Sequence, residues 1–471
     1  MGGVGLLGCK GSSGGNDGAS GSGETGVSGT SVTATESIGS SADEGEVFDV
    51  AEMEGGGTRG GDGDGDCESP GGDATLTGTV YAPNGEIPVS GALVYLTDAP
   101  PDPIPATVYC SECVDLPCET SFTLTEADGS FDLSAPSGAG QYLVVEKGQF
   151  RRVTALDVSA GSSPVNIGLT TLPRDYLPSE GQFIPKIAVA VGSYDRLEDG
   201  LAKLGLGNVQ DSGLGEQLVG GTQTFDAWNH GGPAVAGSMG DFAQLISTPA
   251  LMDQYHIIFV PCAADLALGT LSNATVTQNV RDWVAKGGKW YVSDWSNEFI
   301  DVPFSQYQTF YTEGGSGDLL GVYDSTGTVL DAEMESWLES LPAGLKDINP
   351  INGGGGHPTV TALPSIELVE NWSGIESVPS VLVSDGMGGE IDVGHKVWVE
   401  GPGNGSSVPS NVSHPMAVTG QYGCGKIMFT TYHTAENTSY YGLTPQELVL
   451  MYLILDLGVC QTPTEPPPPA G

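Results

Sequence analysis

The chain has 471 residues, enough for two to four domains at roughly 100 to 200 residues each, so a single small module is excluded. Fifteen Lys and Arg stand against 59 Asp and Glu, and a net charge of -44 repels phosphate backbones and anionic head groups, which argues against nucleic acid as a partner. Gly accounts for 72 residues while only 16% are charged, a composition of loops and tethers that excludes a coiled coil.

At the amino end, Leu6-Leu7-Gly8-Cys9 resembles the lipobox of bacterial lipoproteins. The resemblance implies acylation of the Cys9 thiol, a membrane partner reached through that lipid, and a place in the cell envelope, on the outer membrane or surface of a Gram-negative bacterium. The residues ahead of it carry neither a basic n-region nor an apolar stretch of about 7 to 15 residues, so the true start is expected upstream of Met1. Gly11 to Asp73 is Gly, Ser, Thr and acid, with fourteen acids against Lys10 and Arg59. Residues 1–73 therefore read as a disordered, self-repelling tether. Within it, Asp62, Asp64 and Asp66 have calcium-loop spacing, but Cys67 sits where the turn glycine belongs and Asp73 where the bidentate Glu belongs, so a solvated linker is the better reading. No run of 18 apolar residues exists to span a bilayer.

Residues 74–174 change to short alternating runs separated by turn residues, the pattern of a β-sandwich. Strands are predicted at Leu76–Tyr81, Ala92–Thr97, Ser121–Thr125, Ser130–Leu133, Tyr142–Glu146 and Val165–Leu169, with turns at Asn84-Gly85 and Asp128-Gly129. Gly78, Gly85, Gly91, Asp128, Gly129 and Phe131 give this stretch its resemblance to the carboxypeptidase regulatory-like domain, a transthyretin-like sandwich. That family has no catalytic residues, so the resemblance implies scaffolding or ligand binding. An insertion holding Cys110, Cys113 and Cys118, together with Cys67, places four cysteines in one neighbourhood. Two disulfides stapling the loop to the sandwich and a four-thiolate zinc site are the alternatives, and an oxidising compartment favours disulfides.

Residues 184–460 read as α/β. Ile187–Val191 is an apolar strand followed by Leu197, Leu201 and Leu204 at helical spacing. Tyr255–Val260 is a second strand, and Val276, Val280, Trp283 and Val284 share a helical face ended by Gly287-Gly288. Trp290–Ser293 is the next strand. Phe304 to Gly394 is Gly-rich and poorly periodic apart from Met334, Trp337, Leu338 and Leu341, and reads as an elaboration over a crevice. A strand follows at Lys426–Tyr432. Thr444, Pro445, Glu447 and Gly458 mark the ends of a last helix, with an unfolded Pro-rich tail at 461–471. The expected architecture is thus a disordered tether, a small all-β sandwich and a flavodoxin-like α/β domain with a parallel sheet.

The blocks YHIIFVPCAAD, VRDWVAKGGKWYVSDWSNEFID and HPMAVTGQYGCGKIMFTTYHT resemble class I glutamine amidotransferase-like domains, including their trehalose-utilisation-like branch. Active members carry a Cys on a tight turn after a central strand, with a His to activate it. Here that strand ends Ser293-Asp294-Trp295, so the expected nucleophile is missing. Cys262, at the end of the preceding strand, is either a displaced nucleophile paired with His433 or a small buried residue. His433 stands at the carboxyl end of its strand, where open α/β sheets keep their ligand crevice, with Glu436 near enough to orient it. Asp294 and Glu298 complete an acidic pocket for a sugar or a metal, and Asp265, His230 and Trp228 are weaker candidates for its lining. One His near these acids does not define a metal site, so neither a metal nor a cofactor is assigned. Asn-x-Ser/Thr triplets, Asn273 and Asn371 among them, are incidental beside a lipobox.

The expected function is a non-catalytic envelope lipoprotein that binds a glycan or small polar ligand, with an envelope glycan or protein as partner. The alternatives are a hydrolase of amides or glycans using Cys262 and His433, and a purely structural envelope protein.

Overall fold

The computed structural model describes residues 71–111, 113–114, 116–117, 119–211, 215–263, 268–311, 322–346, 349–350, 360, 362–385, 388–404, 408–434, 440–458 and 462–467. The tether with Cys9, Cys67 and the acidic run from Asp62 to Glu68 lies outside the described residues, as do Cys118, Asp265 and Glu436.

In chain order the first strands are β1 (Ala74–Thr79), β2 (Leu93–Thr97), β3 (Phe122–Leu124), β4 (Ser130–Ala135), β5 (Gly138–Lys147), β6 (Phe150–Val158) and β7 (Gly161–Pro164). The short helix α1 (Ile167–Thr170) and strand β8 (Gln182–Phe183) follow. They form two sheets, β4-β1-β7 and β3-β2-β5-β6-β8. Two local differences from the sequence reading stand out. The strand expected at Val165–Leu169 is instead α1, because the Asn166 side chain accepts from Gly168 N and caps a helical turn. The unpredicted β6 carries Arg151 and Arg152, which interrupt its apolar alternation. Arg151 meets the Glu146 carboxylate of the facing strand at 2.7 Å.

The larger sheet is built from β9 (Ile187–Val191), β10 (Asp226–Asn229), β11 (Ile257–Val260), β12 (Lys289–Ser293), β13 (Tyr323–Val329), β14 (Ser365–Asn371), β15 (Lys396–Pro402), β16 (Ser413–Tyr422) and β17 (Gly425–Thr430). Its helices include α2 (Leu197–Leu201), α3 (Ala274–Ala285), α4 (Ala332–Ser340) and α5 (Pro445–Leu457). The strand order is β10-β9-β11-β12-β17-β16-β15-β13-β14, parallel through the first five strands and antiparallel beyond. The fold is therefore β-rich, with a mixed sheet and few helices. The Gly-rich stretch from Phe304 to Gly394 supplies two of the outer strands, β13 and β14, as well as covering elements.

Short apolar runs became buried strands, as in β9, where all five residues are buried. The helical face of α3 buries Val276, Val280, Trp283 and Val284, and α5 begins with the capping box formed by Thr444 and Glu447. Asn273, one of the Asn-x-Thr positions, caps α3 by accepting from Thr275 N. No helix among the described residues is long and apolar enough to cross a membrane.

The sandwich and the large sheet share one hydrophobic core. It runs from Val80, Val94 and Leu133 through Ile187, Phe259 and Tyr291 to Leu448 and Met451. Polar contacts tighten the joint: Trp337 Nε1 donates to the Pro88 carbonyl at 2.8 Å, and Asn84 Nδ2 donates to the Lys203 carbonyl at 3.0 Å. His256 sits between the start of β11 and the sandwich insertion. Its Nδ1 accepts from Lys186 N at 2.8 Å, which puts the proton on Nε2, facing the carbonyls of Pro105 and Thr107 at 3.0 and 3.1 Å.

The cysteine pairing differs from the expected one. Cys110 is bonded to Cys424, on the turn between β16 and β17, so this bond staples the insertion to the large sheet. The insertion can reach that turn because Gly287 has φ 119° and no side chain, and a Cβ there would strike the Tyr109 carbonyl. Cys113 is disulfide-bonded as well.

Two outcomes follow for stability. The Cys110–Cys424 link closes a separation of 314 residues, and chain-entropy reasoning gives such loops about 5 kcal/mol at most, with typical values of about 2–4. Cys424→Ser is expected to lower the unfolding free energy by that order in urea melts, and reduction of the wild type, which also opens the Cys113 bond, is expected to lower it at least as far. Burial, with Lys289 nearby, pushes His256 down to about 4, and burial alone does the same to His230. Unfolded imidazoles titrate near about 6.5, so unfolding takes up protons between these values. The contribution of each ring is fully present above about pH 6.5 and falls as pH drops toward 4, by roughly 1.4 kcal/mol per pH unit, while buried acids raised to about 8, such as Asp294, act in the opposite direction. Thermal melts of wild type and His256→Gln at pH 7, 5.5 and 4 should show the variant gaining stability relative to the wild type as pH falls.

Candidate functional site

The adjacent parallel strands β9, β11, β12 and β17 end on the same edge, and each hands a polar residue to the space beyond it. Asp195 follows β9, Cys262 follows β11 after Pro261, Asp294 follows β12 directly, and His433 lies three residues past β17. A thiol sulfur of Cys262, a carboxylate oxygen of Asp294 and a ring nitrogen of His433 fall within 4.8 Å of one another, and all three side chains are buried. Each of the three is among the crevice candidates that the sequence offered, though not as a trio. Glu298, one turn beyond Asp294, is buried but is not part of the convergent group. His230 packs edge-on against Phe242 and Phe299, and Trp228 donates to the Tyr255 hydroxyl, so both are core contacts.

The partner that orients His433 is Glu370, which sequence reasoning missed. Its Oε2 lies 3.1 Å from His433 Nδ1, while His433 Nε2 faces Asp294 Oδ2 at 3.2 Å. Asp294 is held from its other oxygen, where Oδ1 accepts from Trp372 N at 2.8 Å. Below, Asp195 Oδ2 accepts from Ser293 Oγ at 2.7 Å and from Thr434 N at 2.9 Å, and Ser293 Oγ accepts from Cys262 N at 3.1 Å. This network fixes the ends of four strands relative to one another.

Backbone strain gathers at the same place. Among the described residues, the non-glycine residues with positive φ are Asp294 at 51° and Glu370 at 55°. Such conformations cost of order 1–3 kcal/mol each and persist only where surrounding contacts over-determine them. Asp294 thereby forms a strained turn directly after β12.

The electrostatics follow from burial. Desolvation pushes the Asp294 carboxyl up to about 8, against the pull of His433 and the Trp372 amide. Burial disfavours the charged His433 ring, but Cys262, Glu370 and Asp294 outweigh it and hold the imidazole well above its ordinary range. Burial raises the Cys262 thiol to about 11, with His433 pulling the other way.

Around this floor stands a series of half-buried aromatic rings. Trp372 is nearly parallel to His433, with interplanar angle 13° and centroids 6.3 Å apart. It is similarly aligned with Trp295, at 14° and 6.3 Å, and Trp295 with Tyr194, at 27° and 6.0 Å.

No family model matches the chain, and no curated protein matches it. Among solved structures it is similar to a protein described as ThuA-like from Bacteroides uniformis, 10% identical over 57% of this chain and 90% of the other, with a TM-score of 0.30. It is also similar to a cytoplasmic protein from Salmonella typhimurium, 10% identical over 58% of this chain and 98% of the other, with a TM-score of 0.27. At these TM-scores the likeness fixes neither fold nor site.

Cys262 is free, buried and a poor thiolate, so native protein at pH 8 should resist iodoacetamide at this position and label fully in denaturant. Peptide mass spectrometry before and after unfolding reads both states. Rapid native labelling would mean that the site opens.

Proposed function

We propose that the chain is an envelope-anchored, non-catalytic binding protein whose α/β crevice takes a glycan or a similar small polar ring. In this reading the lipobox at Cys9 supplies the membrane anchor, 1–73 the tether, 74–174 a regulatory-like sandwich and 184–460 a flavodoxin-like domain. The sequential order 2-1-3-4-5 of the parallel strands β10-β9-β11-β12-β17 supports the last assignment. In that order the ligand crevice lies beyond the carboxyl ends of β9 and β11, which is where Asp195 and Cys262 stand.

The observation that carries the proposal is the aromatic series Tyr194, Trp295 and Trp372 beside carboxylates. Flat apolar faces accept the C–H faces of a sugar ring, and Glu370, with its side chain 41% exposed, is placed to accept hydroxyl donors. Calorimetric titration against a panel of envelope polysaccharides and their monosaccharides is the test. At least one ligand should bind, and Trp372→Ala and Trp295→Ala should each weaken it by about tenfold or more, about 1.4 kcal/mol. A panel with no binder, or binding untouched by both substitutions, removes the glycan reading.

A hydrolase of amides or glycans is the second reading, favoured by the contact between Cys262 and His433. Burial of the thiol weighs against it. Cys262→Ser and His433→Ala should each abolish turnover on a substrate that this reading supplies, and unchanged rates in both would dismiss it.

A further inference from the structure

We infer that Cys262, Asp294 and His433 are a three-ligand site for a zinc-class divalent cation. The inference rests on ligand geometry and does not depend on the glycan reading.

The donor set is the first support. A thiolate, an imidazole and a carboxylate are the three groups that bind zinc, and the thiolate selects it over magnesium or calcium, which take oxygen alone. The donors come from three different strand ends, so their meeting does not follow from sequence neighbourhood.

The second support is how two of the donors meet. His433 Nε2 and Asp294 Oδ2 lie 3.2 Å apart as an ion-pair contact that lacks hydrogen-bond geometry, and the Cys262 thiol also lies against His433. The His433 and Asp294 side chains are 5% and 0% exposed. Polar atoms this deeply buried and imperfectly paired cost free energy that a cation between them would recover. Two ligands at zinc–nitrogen and zinc–oxygen lengths, spread at a tetrahedral angle, stand about 3.3 Å apart. The observed separation fits that span.

The third support is the outer ring of contacts. A metal-ligating His characteristically donates its other N–H to a carboxylate, and His433 Nδ1 faces Glu370 Oε2 at 3.1 Å. A ligating carboxylate is characteristically held through its remaining oxygen, and Asp294 Oδ1 accepts from Trp372 N. The strained backbone at Asp294 and Glu370 therefore belongs to one ligand and to the residue that orients another.

Coordination would replace the thiol proton of Cys262, together with any proton on His433 Nε2 and on the Asp294 carboxyl, by the cation, with those protons released to solvent. Three protein ligands leave the fourth tetrahedral position for water or a bound molecule.

The test uses the full chain. Protein purified without chelators should retain about one zinc per chain by elemental analysis. After stripping, one equivalent of Co²⁺ should restore a thiolate-to-cobalt charge-transfer band together with visible d–d bands. Cys262→Ala should lose the band, and Glu370→Gln, which acts through His433, should keep it with about 10–100-fold weaker affinity. Because Cys262→Ala could fail to fold, stripped wild type is also melted with and without Zn²⁺, and a rise in the unfolding temperature is expected. No retained metal, no charge-transfer band and an unchanged melt would overturn the inference. Sugar titrations on stripped and zinc-loaded protein separate its failure from failure of the glycan reading.

Discussion

The candidate site depends on the return of β14 to β17. The antiparallel half of the sheet leads away from β17 through β16, β15 and β13, yet its last strand comes back: Asn371, at the end of β14, bridges Tyr432, just past β17. Asn371 is fully buried, and its side chain donates to the Tyr323 carbonyl while accepting from Thr431 Oγ1 at 2.9 Å. That closure brings Glu370 and Trp372, which flank Asn371, against His433 and Asp294. An apolar substitution at Asn371 would leave the buried Tyr323 carbonyl and Thr431 hydroxyl unmatched, so the curl of the sheet and the chemistry at its edge are one constraint.

Much of the parallel half was legible in the sequence because its signals are local. Ile187–Val191 is an uninterrupted apolar run, and Thr444, Pro445 and Glu447 spell a helix start. The trio of Cys262, Asp294 and His433 could be placed because each follows a readable strand. Glu370 could not, since it lies 63 residues before His433 in a Gly-rich stretch whose partner strands are far away in sequence. The alternation in Ser365–Asn371, buried at Ile366, Leu368 and Asn371, was the signal that could have found it. The Cys110–Cys424 pair was hidden for a similar reason, because cysteine clustering speaks for neighbours in sequence and this bond joins distant turns.

Charge organises the fold in an uneven way. With 15 cationic residues in the chain, several stand at joints where they meet acids directly. Lys203 pairs with the capping residue Glu447 at 2.8 Å, with side chains 7% and 0% exposed, and Arg151 fastens β6 to β5 through Glu146. Such buried pairs do more to fix register than to add net stability. The remaining excess of acids leaves a surface that repels copies of itself and other anions.

The Cys110–Cys424 bond also changes how the molecule would carry tension. A pull between its amino-terminal and carboxyl-terminal sides passes through the disulfide and bypasses the 314-residue stretch it closes, about 1000 Å of contour at 3.3 Å per residue. Asp195, Cys262, Asp294 and Glu370 all lie inside that shielded loop, and His433 lies just outside it. Under load the first group of the site to be drawn away would be the imidazole, while the carboxylates and thiol stayed within the covalent ring.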